Sequence, residues 1–419
     1  MTVEAMGRLL LLVPTTSYRV GDFLDAAHRL GVDVAVGSNR RQVLEQFSKG
    51  KTVTLDFTDL EKGVAQIRAY ARDYPLRAIV PVDDEPVPLA AEASQALGLP
   101  HNTPESVAAT RDKYRLRTRL ANSGLPAPWF TVVSVDDDPA PAAAAAVYPC
   151  VLKPLALSAG RGVIRADDAR AFRAAFRRIS HILAQPDAGT YGTDRILVEE
   201  YIPGAEVAVE GLLQDGRLTV LALFDKPDPL EGPFFEETIY TTPSRLPADE
   251  QRGIIATTAK AMAAIGLRDG PVHAELRIND RGHWLVEAAA RSIGGLCGRI
   301  LRFGAGVRLE ELILRHALGL PIKSLEREKG AAGVMMIPIP KAGILRRVQG
   351  LDEARAVPGI DDVTISIPVG HPVVPPPEGY RYLGFIFAKA DDPAAAEAAL
   401  REAHRRLRFD IEPAGEAGG

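Results

Sequence analysis

Residues 273–295, HAELRINDRGHWLVEAAARSIGG, contain two segments of alternating apolar and polar side chains on either side of Asn279-Asp280-Arg281-Gly282. Alternation with period two is typical of strands, and the central residues favour a turn, so this stretch predicts a β-hairpin. With Asp280–Gly282 as the turn, Glu275 lies directly opposite Glu287. The even-numbered side chains then form the buried face of the hairpin.

Two carboxylates that face each other across a strand pair repel, so a chain that places them there normally holds a cation between them. Oxygen ligands suit a hard ion such as Mg²⁺, and Mg²⁺ in proteins commonly binds together with phosphates. The hairpin therefore indicates Glu275 and Glu287 as metal ligands. From the hairpin alone, a solvated charged face in which Arg277 or Arg291 pairs with the carboxylates remains an alternative.

Composition limits the classes of function. The chain has 419 residues, 46% hydrophobic and 25% charged, as expected of a globular protein with two to four domains. Its net charge of −4 gives no electrostatic signature of a nucleic-acid partner, and no apolar run approaches the roughly 20 residues of a membrane span. Only Cys150 and Cys297 are present, so a reducing cytoplasm is expected.

The first hundred residues alternate between apolar strands and amphipathic helices, with helices expected over 21–30, 39–49 and 58–73. This alternation predicts a doubly wound parallel sheet. The last strand of the series ends in Asp83-Asp84-Glu85, at the sheet edge where ligands bind in such folds. An acidic cap at the start of the next helix is the favoured alternative.

A second stretch, residues 148–163, combines a short strand carrying Lys153 with a loop that includes Ser158, Gly160 and Gly162. Small residues let backbone N–H groups approach an anion, and the lysine adds a mobile positive charge. A plain β-turn is the alternative. The phosphate-binding loop GxxxxGK[ST] is absent from the sequence.

A third stretch, residues 196–210, has a strand ending in two acids, a turn at Pro203-Gly204, and a second strand that begins near Glu206. Glu206 is placed to accept hydrogen bonds from sugar hydroxyls, and Glu199 lies beside backbone that could read an adenine edge. Farther on, the loop containing Glu237 and Tyr240 is suited to hold an amine and a carboxylate. Surface acids and an ordinary surface loop are the alternatives.

Taken in order, these stretches resemble the ATP-grasp superfamily over residues 1–325. The resemblance implies that Lys113 and Lys153 bind phosphates and that Ser158, Gly160 and Gly162 belong to a closing loop. It implies that the adenine is bound by Glu199, Tyr201 and Ile202, and the ribose by Glu206. It further implies that Glu275 and Glu287 bind Mg²⁺, with Mn²⁺ as the alternative ion, and that Arg291 and Lys153 are catalytic groups. Many members of the superfamily have Asn where this chain has Ala289, which puts one metal ligand in question.

Residues 331–412 consist of short strands and a final helix, and they resemble the C-terminal domain of L-amino acid ligases. In that group the loop matching Glu237 and Tyr240 helps to hold the amino-acid substrate, and Gly294-Gly295 leave room beside Arg291. The resemblance implies a multidomain fold of mixed α/β and α+β class. Its parts are an N-terminal parallel α/β domain (1–112), an ATP-grasp domain of two lobes (113–195 and 196–325), a small α+β C-terminal domain (326–412) and a disordered tail (413–419).

The activity implied is ATP-dependent joining of an amino acid or similar carboxylate to an amine or amino acid, through an acyl phosphate, giving ADP and phosphate. Small-molecule substrates, no nucleic-acid or membrane partner and a homodimer are expected. Two alternatives remain at this point. One is an ATP-grasp carboxylase or formate-using ligase of nucleotide biosynthesis, and the other is a nucleotide-binding protein that has lost catalysis.

Overall fold

The computed structural model describes residues 7–41, 45, 48–189 and 191–413. The helix expected over 39–49 and the tail expected over 413–419 fall largely outside these ranges. None of the described helices is long and apolar enough to cross a membrane.

The N-terminal sheet has four parallel strands in the order β3-β2-β1-β4, with helices on both faces, as the sequence predicts. Its elements are β1 (Arg8–Leu12), α1 (Val20–Leu30), β2 (Val34–Ser38), β3 (Thr52–Thr54), α2 (Leu60–Asp73), β4 (Leu76–Pro81) and α3 (Val87–Leu97). Leu9 and Leu11 belong to the core that contains Phe23 of α1, whereas Leu10 and Leu12 belong to the core that contains Ile67 of α2. A strand buried on both faces explains why β1 is a continuous apolar run.

Two helices lead from this sheet to the rest of the molecule, α4 (Pro104–Arg111) and α5 (Lys113–Asn122). Asp112 ends α4 and begins α5, and its carboxylate accepts hydrogen bonds from the N–H groups of Tyr114 (2.9 Å) and Arg115 (3.0 Å). This cap satisfies helix-terminal donors and fixes the bend that brings Lys113 to the next lobe.

The small lobe is an antiparallel four-stranded sheet in the order β5-β8-β6-β7, covered by two helices. Its elements are β5 (Phe130–Ser134), α6 (Pro139–Ala145), β6 (Cys150–Pro154), β7 (Ile164–Ala166), α7 (Ala169–Leu183) and β8 (Arg195–Glu200). Phe172, Phe176 and Ile179 of α7 recur at helical spacing and lie in the core beneath the sheet.

The large lobe is built on an eight-stranded sheet in the order β13-β12-β9-β10-β11-β16-β20-β18. Its first part comprises β9 (Ala205–Gln214), β10 (Arg217–Asp225), β11 (Ile239–Thr242), α8 (Ala248–Ile265), β12 (Gly270–Asn279), β13 (Gly282–Ala289), the short β14 (Arg302–Phe303) and β15 (Val307–Arg308), and α9 (Leu309–Ala317). The remainder comprises β16 (Ala331–Ile337), β17 (Gly343–Gln349), α10 (Leu351–Arg355), β18 (Ile360–Ile365), β19 (Pro372–Val373), β20 (Gly384–Ala390), α11 (Pro393–Arg406) and β21 (Arg408–Glu412).

The C-terminal segment thus shares a sheet with the large lobe. β16 pairs antiparallel with β11, with Tyr240 opposite Val334, and β20 and β18 follow. Within the described part of the C-terminal segment, β19, β17 and β21 form a separate three-stranded sheet. The reason is that β11 offers an open edge, which the apolar strand β16 covers. This pairing ties the C-terminal loops to the candidate site.

The hairpin of β12 and β13 differs from prediction at its turn. Asn279 pairs with Gly282, so the turn has two residues rather than the expected three. A register shift between Glu275 and Leu276 compensates, and Glu275 still lies opposite Glu287. The bulge thereby keeps the two carboxylates facing each other despite the shorter turn.

The same shift changes which side chains of β13 are buried. Leu285 pairs with Leu276 and is buried in the core, whereas Trp284 and Val286 are only partly buried. The predicted even-numbered core face is therefore correct for Ala274, Leu276 and Ala288 and wrong at Trp284 and Val286. A bulge adds one residue to a strand and so reverses the alternation beyond it.

Candidate active site

Two adjoining cavities lie between the lobes. The first is lined by residues of both lobes, including Lys113, Lys153, Gly160, Glu199, Tyr201, Ile202, Glu206, Glu237, Glu275 and Glu287. The second, of 280 Å³, also reaches the N-terminal sheet and the C-terminal segment and includes Ser158, Tyr240, Arg291, Gly294 and Gly295. Gly160, Glu237, Glu275 and Glu287 line both cavities and mark their junction.

The buried Lys226, which follows β10, lies among three carboxylates. Its Nζ is 2.7 Å from Glu206 and 3.2 Å from Glu275, and it also donates to Glu237. Oxygens of the same three glutamates come within 4.8 Å of one another, a spacing compatible with a metal ion. Lys226 has no recognisable signature in the sequence, because its partners lie on separate strands and loops and form no short motif.

The surroundings of Lys226 shift the pKa values of the cluster. Burial disfavours the charged lysine, but the three carboxylates outweigh burial and raise the pKa of Lys226 well above its usual range. Burial likewise raises the pKa of Glu237, and repulsion by Glu275 adds to that rise. The pKa of Glu275 is lowered despite burial, chiefly by Lys226. The junction therefore holds an ionised Glu275 beside a charged lysine.

Glu287, the other predicted metal ligand, is less enclosed. Its side chain is 34% exposed, and its Oε2 lies 4.0 Å from the Nζ of Lys113. Lys113 also donates a hydrogen bond of 2.8 Å to the carbonyl oxygen of Leu157. The structure thus brings the predicted first phosphate lysine to one of the predicted metal ligands, at the base of the loop that carries Ser158.

Lys153 lies on β6 and contacts Glu199 of the adjacent strand β8, with Nζ 2.5 Å from Oε1. The buried Arg117 of α5 binds the same carboxylate at 2.7 and 3.2 Å. Burial opposes ionisation of Glu199, but Arg117 and Lys153 outweigh it and lower its pKa to about 2. Burial lowers the pKa of Lys153, partly offset by Glu199. The Glu199 carboxylate is therefore already bound by two protein cations.

The predicted nucleotide-reading segment follows β8. Tyr201 and Ile202 are buried and line the first cavity, as does Glu206 at the start of β9. Arg277 of β12 donates to Glu206 (2.9 Å) and to the carbonyl oxygen of Ile202 (2.8 Å). Arg277 thus pairs with Glu206, and neither of the two hairpin carboxylates is its partner in the described structure.

The loop after β6 closes over the junction. Gly160, with φ of 69°, approaches Phe235 so closely that a Cβ there would lie 2.6 Å from the Phe235 carbonyl oxygen. Ser158 donates a hydrogen bond of 3.0 Å to Asp84. Gly162 lines neither cavity, because it packs on Pro154 and its N–H donates to the Pro377 carbonyl oxygen at 2.8 Å.

Arg291, the predicted catalytic arginine, is bound by the N-terminal sheet. Its Nη2 donates to Asp84 at 2.6 Å, and its Nη1 donates to the Ser292 carbonyl oxygen at 2.9 Å. Burial opposes the charge of Arg291, but Asp84 outweighs it and raises the pKa of Arg291. Asp84 does not cap α3, whose N-cap Pro86 has no side-chain cap. The capping interpretation of this acid is therefore wrong.

The remaining predicted residues lie around the second cavity. The Tyr240 hydroxyl is 3.4 Å from Glu275. Gly294 has open space where a side chain would be, whereas a Cβ on Gly295 would lie 2.9 Å from Phe385. Ala289 also lines this cavity and offers no ligand atom.

A buried histidine, His273, contacts Glu275, and no role was assigned to it from the sequence. His273 Nδ1 lies 3.2 Å from Glu210, and its Nε2 lies 3.4 Å from Glu275. Glu210 also accepts a hydrogen bond of 2.9 Å from the N–H of Ile293. Burial favours neutral His273, but the two carboxylates outweigh it and raise its pKa to about 9. Alternation on β12 places His273 and Glu275 on one face, which is the signal that could have indicated the pair.

Comparison with known proteins identifies the family of this two-lobed site. Residues 24–101 match the model for the ATP-grasp N-terminal domain, residues 146–300 match the ATP-grasp domain, and residues 335–412 match L-amino acid ligase C-terminal domain 2. The chain belongs to the ATP-grasp superfamily. The predicted resemblance and the predicted multidomain architecture are both confirmed.

Relatives of this ATP-grasp chain include ligases. The crystal structure of L-amino acid ligase from Bacillus licheniformis is similar with a TM-score of 0.82 and 26% identity, covering 97% of this chain and 99% of that one. Carnosine synthase 1 of Gallus gallus is 32% identical over 290 residues, which is 64% of this chain and 31% of that protein. D-alanine–D-alanine ligase of Aromatoleum aromaticum is 29% identical over 210 residues, 45% of this chain and 65% of that protein.

Proposed function

We propose that this chain is an ATP-dependent carboxylate–amine ligase that joins an amino acid, or a similar carboxylate, to an amine or a second amino acid. The observation that carries the proposal is the shared wall of the two cavities. A nucleotide in the first cavity would direct its terminal phosphate toward Glu275 and Glu287, where a carboxylate in the second cavity would meet it. The similarity to L-amino acid ligase over nearly the whole chain supports the same reaction class.

The nucleotide would lie between the lobes. Tyr201 and Ile202 would provide the buried surface for the adenine, and Glu206, which lines the same cavity, would accept hydrogen bonds from the ribose hydroxyls. Lys113 and Lys153 would hold the α- and β-phosphates. Because Glu199 is already bound by Arg117 and Lys153, we assign it the role of holding Lys153 in place and not of contacting the adenine.

The carboxylates at the junction are hard oxygen donors, which suit a divalent ion. The three that approach within 4.8 Å of one another are those of Glu206, Glu237 and Glu275, and Glu287 is not among them. Glu275 and Glu287 would hold Mg²⁺, or Mn²⁺, which would neutralise phosphate charge during transfer. Lys226 already supplies a positive charge to Glu275 at 3.2 Å, although it lines neither cavity.

The reaction proceeds in two steps. A substrate carboxylate oxygen attacks the γ-phosphorus of ATP, the bond to the β-phosphate oxygen breaks, and ADP leaves with an acyl phosphate formed. The amine of the second substrate then attacks the acyl carbon, the carbon–oxygen bond to phosphate breaks, and the nitrogen loses a proton. Arg291 is placed to stabilise oxyanion charge, and the loop around Gly160 is placed to exclude water from the acyl phosphate.

Two alternatives receive less support. A carboxylase or formate-using ligase of nucleotide biosynthesis would share the lobes, but residues 335–412 match the C-terminal domain of L-amino acid ligases. A protein without catalysis would have no need to keep Lys113, Lys153, both hairpin glutamates and Arg291 around one junction.

The test is ADP release in the presence of Mg²⁺, measured across pairs of amino acids, with bicarbonate and formate as separate arms. We expect release that requires two amino acids and yields a product whose mass equals their sum less one water. The variant Glu287→Gln should abolish that release while leaving the fold intact. Release that depends on bicarbonate or formate alone would favour the first alternative.

A further inference from the structure

The second cavity contains one basic side chain that no carboxylate of the described residues pairs with. Three basic side chains line this cavity, His273, Arg291 and Arg381. His273 is paired with Glu210 and Glu275, and Arg291 is paired with Asp84. Among the residues that the structure describes, Arg381 has no carboxylate partner. A guanidinium has five donors in a planar fork that matches a carboxylate, so Arg381 is suited to bind one.

The residues around Arg381 are held in place by aromatic contacts. Tyr18, from the loop before α1, packs edge-on against Phe385 with ring centroids 5.9 Å apart, and Tyr382 packs against the same ring at 6.0 Å. Burial raises the pKa of the Tyr18 hydroxyl, and the nearby charge of Arg381 opposes that rise. Arg381 thus adjoins Tyr382, which is packed against Phe385, and neighbours that are already packed lower the entropic cost of binding a ligand there.

The loop that carries Arg381 is also fastened to the closing loop of the small lobe. Pro377 accepts the hydrogen bond from Gly162, and Glu378 is bound by Arg178 of α7 at 2.5 and 2.9 Å. The guanidinium of Arg161 lies over the Tyr380 ring, 5.1 Å from its centroid. The segment that leads into Arg381 is thus tied to the small lobe in the arrangement in which the closing loop covers the junction.

The position of Arg381 indicates which carboxylate it meets. The carboxylate that receives the phosphoryl group must lie at the junction, beside Glu275 and Glu287. Arg381 is not among the residues that line both cavities, so it lies away from that junction. A carboxylate bound by Arg381 is therefore a second one, carried by the substrate that supplies the amine. Near the same cavity, Asp83 and Glu85 add negative charge suited to an ammonium group.

We propose that Arg381 binds the free carboxylate of the amine substrate and so makes the enzyme select an amino acid over a simple amine. This inference rests on the proposed ligase function. It identifies a specificity-determining residue contributed by the C-terminal segment, outside the ATP-grasp lobes.

The test uses the pair of amino acids that gives the fastest ADP release in the wild type. The amine partner is compared with its own primary amide, for example L-alanine with L-alaninamide. The amide has no carboxylate to activate and can serve only as the amine substrate. Steady-state constants are measured for both, together with the KM for ATP, in the wild type and in Arg381→Gln, Arg381→Lys and Arg346→Gln. Arg346 is an exposed arginine of the same segment that pairs with Glu412, and it serves as the matched control.

Loss of a charged, bidentate contact should raise the KM for the acid about 10- to 100-fold in Arg381→Gln. In Arg381→Gln, the steady-state constants for the amide and the KM for ATP should not change. The control Arg346→Gln should give wild-type constants for the acid, the amide and ATP. Arg381→Lys keeps the charge and loses the planar fork, so its KM for the acid should lie between those of the wild type and Arg381→Gln. It supplies the same comparison if the glutamine variant folds poorly.

Equal effects of Arg381→Gln on acid and amide, or no effect on either, would overturn the role of Arg381 while leaving the ligase function intact. Absence of amino-acid-dependent ADP release in the wild type would instead overturn the proposed function and this inference together.

Discussion

Arg291 donates a hydrogen bond of 2.6 Å to Asp84, which lies more than two hundred residues earlier in the loop after β4. The same carboxylate accepts from Ser158 of the closing loop and lies 3.3 Å from Arg111 of α4. One side chain of the N-terminal sheet therefore contacts both the arginine expected to face the acyl phosphate and the loop expected to cover it. The contact makes Asp84 a positioning residue for both groups.

Replacing Asp84 by Asn keeps the shape of the side chain and removes its charge. Hydrogen bonds to charged groups contribute about 1.5–3 kcal/mol, so kcat should fall roughly 10- to 100-fold with a smaller change in the KM for ATP. The matched control is Asp33→Asn, since Asp33 is an ion-paired aspartate of the same domain, 2.7 Å from Arg8, and lines neither cavity. Equal losses in the two variants, or a wild-type kcat in Asp84→Asn, would contradict this role.

Lys153→Ala should raise the KM for ATP, because it removes a charge from the proposed phosphate contact and one of the two cations that hold Glu199. Arg117 still binds Glu199 in this variant, so the small lobe should remain folded. Initial rates measured over a range of ATP concentrations test this, with the exposed Lys62→Ala as control. An unchanged KM for ATP would move the phosphate contact to another residue.

Lys226→Met should leave Glu206, Glu237 and Glu275 without their shared positive charge. Divalent ions should then bind the cluster more strongly, because the ammonium group no longer competes for the three carboxylates. Tighter binding to the folded state raises its stability. We expect Mg²⁺ to raise the unfolding temperature of the variant by more than it raises that of the wild type, and turnover to fall. Thermal unfolding with and without Mg²⁺ provides the measurement. A Mg²⁺ effect that is the same in both proteins would argue against a metal site at these glutamates.

Gly204→Ala should destabilise the segment between β8 and β9. Gly204 has φ of 118°, and an added Cβ would overlap the Ile278 carbonyl oxygen. Gly31→Ala is the matched control, since Gly31 also has positive φ, 64°, but has open space at the Cβ position. Backbone strain alone costs about 1 kcal/mol, so a lower unfolding temperature is expected in both, with a clearly larger drop for Gly204→Ala. Equal drops would show that the close contact is unimportant.

Several parts of the fold were predictable because they depend on local patterns. Alternation identified the parallel N-terminal sheet, and the hairpin pattern placed Glu275 opposite Glu287. The predicted turn of this hairpin was one residue too long, and the bulge restores the register in which Glu275 lies opposite Glu287. A bulge depends on packing against the next strand, which local alternation does not encode.

Other parts depend on contacts between distant segments and left no local signal. Lys226 is surrounded by carboxylates from β9, β12 and the loop before β11, and Asp84 meets Arg291 across the cavity. The sheet shared by the large lobe and the C-terminal segment was also missed, because β16 by itself has the composition of any buried strand. That pairing is what brings Arg381 to the second cavity.

The most direct test of the proposed ligase reaction is the fate of the carboxylate oxygen. Each amino acid of the active pair is labelled in turn with ¹⁸O in its carboxylate, and the phosphate and nucleotide products are analysed by mass spectrometry. An acyl phosphate requires that one labelled oxygen pass from the substrate that is activated to the released phosphate, with ADP unlabelled. Unlabelled phosphate from both substrates, or label found in AMP, would contradict the account.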